Sequence, residues 1–204
     1  MEGGPLDAVA VETNWVLDVT LHQDQGSEEL LRQAELGLVR VFLPSFCVAE
    51  SIKRFEAIRQ EWNDLQQALK KAAREILRSP HLAFADERLR GSVEILAEAS
   101  DVAEGEFWGA LERVVRTARL LTPGPETVAL TAELRDFLGL EPADAAVLAE
   151  IVLARRSDTC RRFMSRDVDF QAAPIARFMA DEGIEYLDSP FPIVGPLRSR
   201  VKEP

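Results

Sequence analysis

Five carboxylates carry the chemistry that the residue types of this chain allow. Glu12 follows directly on the apolar run Ala8-Val9-Ala10-Val11, and Asp167 and Asp169 follow the strand-like segment Arg161-Arg162-Phe163-Met164-Ser165. Glu50 lies near the start of a helical pattern behind Leu43-Pro44-Ser45, and Asp144 falls in the first turn of a helix opened by Glu141-Pro142-Ala143. Taken alone, Asp144 reads as an acid favoured by a helix N-terminus and Glu50 as a solvated helix residue. As a set they are acids at element ends, and gathered together they would make one oxygen-lined pocket. Crowded carboxylates repel one another, and a divalent cation is what offsets the repulsion. Mg²⁺ or Mn²⁺ suits such donors. A zinc site built from nitrogen and sulfur does not arise, because His22, His81, Cys47 and Cys160 have no metal-ligand spacing. Asp18 falls outside the set, about a helical turn beyond the first strand end.

The elements that must bring these acids together are legible as an alternation of short apolar strands with helices. A strand at 8–11 ends at Glu12-Thr13-Asn14, where Thr or Asn starts a helix. A helix at 27–37, with a capping-box-like opening at Ser27 and a Gly37 terminator, leads to a strand at 39–43 and a further helix behind Pro44-Ser45. Phe55, Ile58, Trp62, Leu65, Leu69, Ala72 and Ile76 then recur at steps of three and four, the mark of a long amphipathic helix. Ser79-Pro80 breaks it, and Leu89, Val93, Leu96, Phe107, Leu111 and Val114 trace a second long helix from near Asp86, with Gly105 placed to kink or split it. The pair reads as an antiparallel helical hairpin. Beyond a short apolar run at 118–121 come helices at about 126–138 and from 142 through 154, a strand at 161–165, a helix at 174–181, a strand at 184–187 and an irregular tail from Ser189. Strands separated by helices imply a parallel sheet in an α/β layer, whose strand carboxyl ends converge on a ligand crevice.

Composition bounds the partners. The chain has 204 residues, the size of one domain, with 24 Lys and Arg against 35 Asp and Glu, a net charge of −11. A generic polycation for nucleic acid is excluded, so any such role rests on local basic clusters. Those clusters are Lys53, Arg54 and Arg59; Lys70, Lys71 and Arg74; Arg155, Arg156, Arg161, Arg162 and Arg166; and Arg198, Arg200 and Lys202. Two distant cysteines in apolar segments read as buried free thiols. No N-terminal leader pattern and no apolar run of membrane length is seen, so the expectation is a cytoplasmic protein without a membrane partner.

Four segments together resemble the PIN-domain family of metal-dependent ribonucleases, which includes the toxins of bacterial VapBC systems. They are Val9-Ala10-Val11-Glu12-Thr13-Asn14, Leu43-Pro44 to Ala49-Glu50, Leu140-Glu141-Pro142-Ala143-Asp144-Ala145, and Phe163-Met164-Ser165-Arg166-Asp167-Val168-Asp169-Phe170. The resemblance spans nearly the whole chain except the hairpin. It implies a single three-layer α/β/α sandwich with a parallel sheet, into which the hairpin is inserted at about 53–117. It makes Glu12, Glu50 and Asp144 metal-pocket acids, with Asp167 the fourth and Asp169 its close competitor. Thr13, Asn14 and Ser165 become hydrogen-bonders that orient those acids, and Arg166, inside the acid-rich turn, becomes the best-placed RNA contact. The implied activity is Mg²⁺- or Mn²⁺-dependent hydrolysis of RNA phosphodiester bonds. Its implied partners are an RNA substrate, an antitoxin protein and a second copy of the chain. The family's usual residue at the first site is Asp in an Asp-Thr-Asn run, where this chain has Glu12. That exchange, the acidity and the large insertion motivate the alternative, a catalytically weak or inert module that binds a protein or RNA through its hairpin. A phosphatase-like reading would need an Asp after the first strand with another two residues on, which Glu12 and Asn14 do not supply.

Overall fold

The computed structural model describes residues 7–76, 78, 81 and 84–195. The expected break at Ser79-Pro80 and the basic tail residues Arg198, Arg200 and Lys202 lie outside the described residues. The chain divides into two compact units, the first made of Met1–Ser51 with Ala110–Pro204 and the second of Ile52–Gly109.

The first unit is built on β1 (Asp7–Val11), whose Val9, Ala10 and Val11 are fully buried. A strand buried on both faces reads as a continuous apolar run, and that is why the sequence signal here is unbroken and not alternating. β2 (Val39–Pro44), β3 (Arg119–Leu121), β4 (Arg162–Met164) and β5 (Glu185–Leu187) complete a five-stranded sheet in the order β3-β2-β1-β4-β5. Every pairing is parallel, with Ala10 in register with both Phe42 and Phe163. Parallel neighbours need crossover helices: α1 (Thr13–Thr20) and α2 (Gln25–Glu35) link β1 to β2, α5 (Pro125–Leu138) and α6 (Pro142–Arg156) link β3 to β4, and α7 (Ala173–Asp181) links β4 to β5. Right-handed crossovers assign α1 and α2 to one face and α5, α6 and α7 to the other, giving the three layers. α6 is buried almost all round, at Ala145, Val147, Leu148, Ile151 and Val152, as a helix packed between other elements must be. Pro142 sits at its start, where a missing N–H costs nothing.

Several boundaries differ from the sequence expectation. α2 starts at Gln25 because Asp24, not Ser27, is its cap, accepting from the Ser27 N–H at 2.7 Å. Residues 45–76 form one helix, α3 (Ser45–Ile76), since nothing between Glu50 and Phe55 breaks it. α4 (Phe84–Thr117) runs unbroken through Gly105. The segment after Ser189, expected to be irregular, contains the short α8 (Phe191–Val194) behind Pro190. Among the described residues no helix is long and apolar enough to cross a membrane.

The second unit consists of the α3 and α4 residues of Ile52–Gly109, where the insertion was expected at about 53–117. The two helical segments run antiparallel. Phe55 stacks on Phe107 with ring centroids 4.0 Å apart, and Arg59 pairs with Glu104 at 2.7 Å. Those two contacts join residues whose numbers rise on one helix and fall on the other.

Candidate functional site

β1 and β4 are sequence-distant neighbours at the centre of the sheet, where the strand order reverses, and the crevice at such a point is where open α/β sheets bind ligands. Glu12 occupies that position. It caps α1 with a side chain that accepts from the Asn14 N–H at 2.7 Å through Oε2, and its Oε1 accepts from the Ser165 hydroxyl at 3.2 Å. Only 6% of Glu12 is exposed. Burial pushes its carboxyl up to about 7; the bonds from Asn14 and Ser165 pull the other way, and the charges of Asp167 and Glu50 push it higher still.

The neighbours are arranged by short local bonds. The Thr13 hydroxyl donates to Glu50 Oε2 at 2.5 Å, tying the start of α1 to α3. Ser165 accepts from the Asp167 N–H at 2.9 Å while donating to Glu12, so one hydroxyl links two acids. Asp169 is exposed at the head of a 3-10 turn, and its N–H donates to Asp167 Oδ1 at 3.0 Å. The structure therefore brings Glu12, Thr13, Asn14, Glu50, Ser165 and Asp167 together, and gives Asp169 the part of steadying Asp167. Asp144 stands half-buried in the first turn of α6. Among the described residues no group of three or more His, Cys, Asp or Glu side chains is drawn close enough to hold a metal ion. Carboxylate oxygens are hard donors, of the kind that suit Mg²⁺ or Mn²⁺ and not a soft metal.

Three participants escape the sequence reading. Cys47, read as a buried thiol, is one, and it is buried next to Thr13. Burial pushes its thiol up to about 12, with the Glu12 and Glu50 charges adding to the rise, so it adds no charge to the site. It lies three residues before Glu50 on one helix, and its place beside Thr13 comes from the packing of α3 against α1. Tyr186 donates its hydroxyl to the Ser165 carbonyl at 2.5 Å, and burial raises its pKa, with the charges of Asp188, Glu12 and Asp167 contributing. Asp18, left out on sequence grounds, is 4% exposed and accepts from Ser27 Oγ at 3.2 Å and from the Arg166 guanidinium. Arg166 also reaches Asp24 at 3.6 Å. The arginine expected to meet RNA thus already shares its one charge between two acids, Asp18 of α1 and Asp24 at the α2 cap. A narrow cavity of about 10 Å³, lined by Glu12, Trp15, Asp18, Ser165 and Arg166 among others, adjoins this pair. The buried Trp15 Nε1 has no hydrogen-bond partner among the described residues, and the cavity has room for about one water.

No protein-family model matches the chain. No curated protein matches it either. Among solved structures, the crystal structure of VapBC2 from Rickettsia felis bound to a DNA fragment from their promoter is similar over 89% of this chain and 98% of that one, with 11% sequence identity and a TM-score of 0.43.

Proposed function

We propose that the protein is a metal-dependent ribonuclease that hydrolyses RNA phosphodiester bonds with Mg²⁺ or Mn²⁺ held by Glu12, Glu50, Asp144 and Asp167. The observation that carries this reading is the Glu12 carboxylate, buried at the β1–β4 reversal and facing the charges of Asp167 and Glu50. An acid kept there at the expense of burial and like-charge repulsion has a reason to be there if a cation completes the site. When bound, the ion supplies Lewis-acid charge that activates a water and offsets the negative charge of the phosphate. The chain supplies the rest. The Asn14 N–H and Ser165 hydroxyl orient Glu12, Thr13 orients Glu50, and Ser165 with the Asp169 N–H fixes Asp167. Arg166 meets a phosphate only in competition with Asp18 and Asp24.

The test is cleavage of single-stranded and structured RNA by the purified chain with Mn²⁺, Mg²⁺ or chelator. Cleavage that needs the metal and disappears in Asp144→Asn is the expected result. RNA left intact by a chain that binds neither metal nor RNA overturns it. A Glu12→Asp variant that gains nothing in that case supports the alternative of an inert interaction module. The narrower reading, a toxin held in check by an antitoxin, rests on the four-segment resemblance. It predicts growth arrest on expression, relieved by the product of a neighbouring gene.

A further inference from the structure

We infer that the outer face of α4 in the second unit docks a cationic amphipathic helix of another protein. α4 carries two stripes on opposite sides. One is the inner stripe of Val93, Leu96, Ser100 and Phe107, of which Val93 and Leu96 are half-buried, Ser100 is 6% exposed and Phe107 is fully buried. At about 100° per residue, Gly91, Ile95, Glu98, Val102, Gly105 and Gly109 lie on the far side, within about 40° of a single line. Their steps of four, three, four, three and four set them along one seam, in which Ile95 and Val102 are the apolar side chains that a facing helix would cover. Ile95 is 69% and Val102 58% exposed, so the seam has no cover among the described residues.

The glycines sharpen the geometry. A Cβ placed at Gly91, Gly105 or Gly109 would meet nothing within 4 Å, so no packing among the described residues requires glycine at these helical positions. Glycine in a helix interior is unfavourable, and its effect on an outer face is to lay the backbone bare. Gly105 and Gly109, one turn apart, make a shallow place where a partner helix comes closer than side chains would otherwise allow.

Charge decides the occupant. Glu98 lies in the seam, Glu94 and Asp101 line one flank and Glu106 the other, all exposed, and no Lys or Arg occurs between Arg90 and Arg113. A second copy would set acid against acid, and an anionic lipid surface would be repelled in the same way. A helix with an apolar a/d stripe and Lys or Arg placed opposite Glu98 satisfies both the seam and its charge.

The experiment uses the full chain and a labelled synthetic helix of about three heptads, with Leu at a and d and Lys at the flanks. Its controls are the same helix with Glu for Lys and a scrambled sequence of the same composition. Fluorescence anisotropy should show the Lys helix binding with Kd on the order of micromolar, weakening as salt rises. Both controls should bind at least about tenfold more weakly, as should the Lys helix to G105L/G109L. That variant replaces glycine with a better helix former in open space, so its Tm should be unchanged or higher, which separates loss of docking from loss of fold. Glu98→Lys should reverse the preference toward the Glu helix. Equal binding of the scrambled peptide, undiminished binding to the glycine variant, or no binding of the Lys helix at about 100 μM overturns the proposal. Self-association of the chain in light scattering that disappears in Val102→Glu overturns it in favour of a second copy.

Discussion

Glu12 is a residue held in an unfavourable state, and its cost can be read as pH dependence. Its carboxyl sits at about 7, above the ordinary 4.5, so the folded protein binds more protons than the unfolded chain between those values. Stability therefore falls as pH rises from about 4.5 to 7, by up to about 3 kcal/mol for this group. Glu150, buried on α6 with Oε2 lacking a partner among the described residues, is pushed to about 7 by burial and adds a loss of the same sign in the same window. Denaturant unfolding at pH 5 and pH 8 checks this: Glu150→Met should gain about 2 kcal/mol at pH 8 and leave RNA cleavage unchanged, whereas Glu12→Gln should gain stability at pH 8 and abolish cleavage. Ser165→Ala removes a donor from Glu12 and an acceptor from Asp167, and should cost about 1–3 kcal/mol while moving the Glu12 carboxyl further up, followed by carboxyl-carbon NMR titration.

At the scale of elements, the α2 cap and the α4 glycines make separate predictions. Asp24→Ala should cost about 1 kcal/mol through the lost cap and Asp24→Asn much less, because an amide oxygen still accepts from the Ser27 N–H. Gly105→Ala and Gly109→Ala should each raise thermal stability, by about 0.5–1 kcal/mol, since the added methyl meets nothing. Elements were also where the sequence spoke most clearly. The run Val9-Ala10-Val11 stopping at Glu12 is a doubly buried strand ending at a polar crevice, and period and position together revealed it. The start of α2 was ambiguous because Asp24 and Ser27 are both good caps three residues apart. The structure resolves this by giving the Ser27 hydroxyl to Asp18. The junction of α3 was hidden because Ser51 to Arg54 carries only Ile52 on an apolar stripe, so the apolar periodicity restarts at Phe55 although nothing interrupts the backbone. The candidate site was legible wherever an acid followed a strand or opened a helix. Asp18, Tyr186 and Cys47 were not, because each reaches the site through folding contacts that no local spacing encodes.

For the whole molecule, a net charge of −11 works against any polyanion, and the proposed site adds to that burden until a cation enters. Mn²⁺ at a hundred times its Kd should raise unfolding free energy by about 2.7 kcal/mol, read as a Tm shift, and the gain should vanish in Asp144→Asn. RNA affinity should fall with added salt, and Arg166→Ala should weaken it less than removal of a phosphate-bound arginine usually does, because its charge is shared with Asp18 and Asp24. The sheet order holds one more consequence, for the chain's life during synthesis. Glu12 receives its Ser165 bond from a residue 153 positions later, just past a strand that pairs with β1 only after the other side of the sheet has been made. At about 5–20 residues per second, translation leaves roughly 8 to 30 seconds between the two. Through that interval a nascent chain has the first acid of the site and not the residue that orients it, so the proposed activity would begin only once Ser165 has been made and β4 has joined β1.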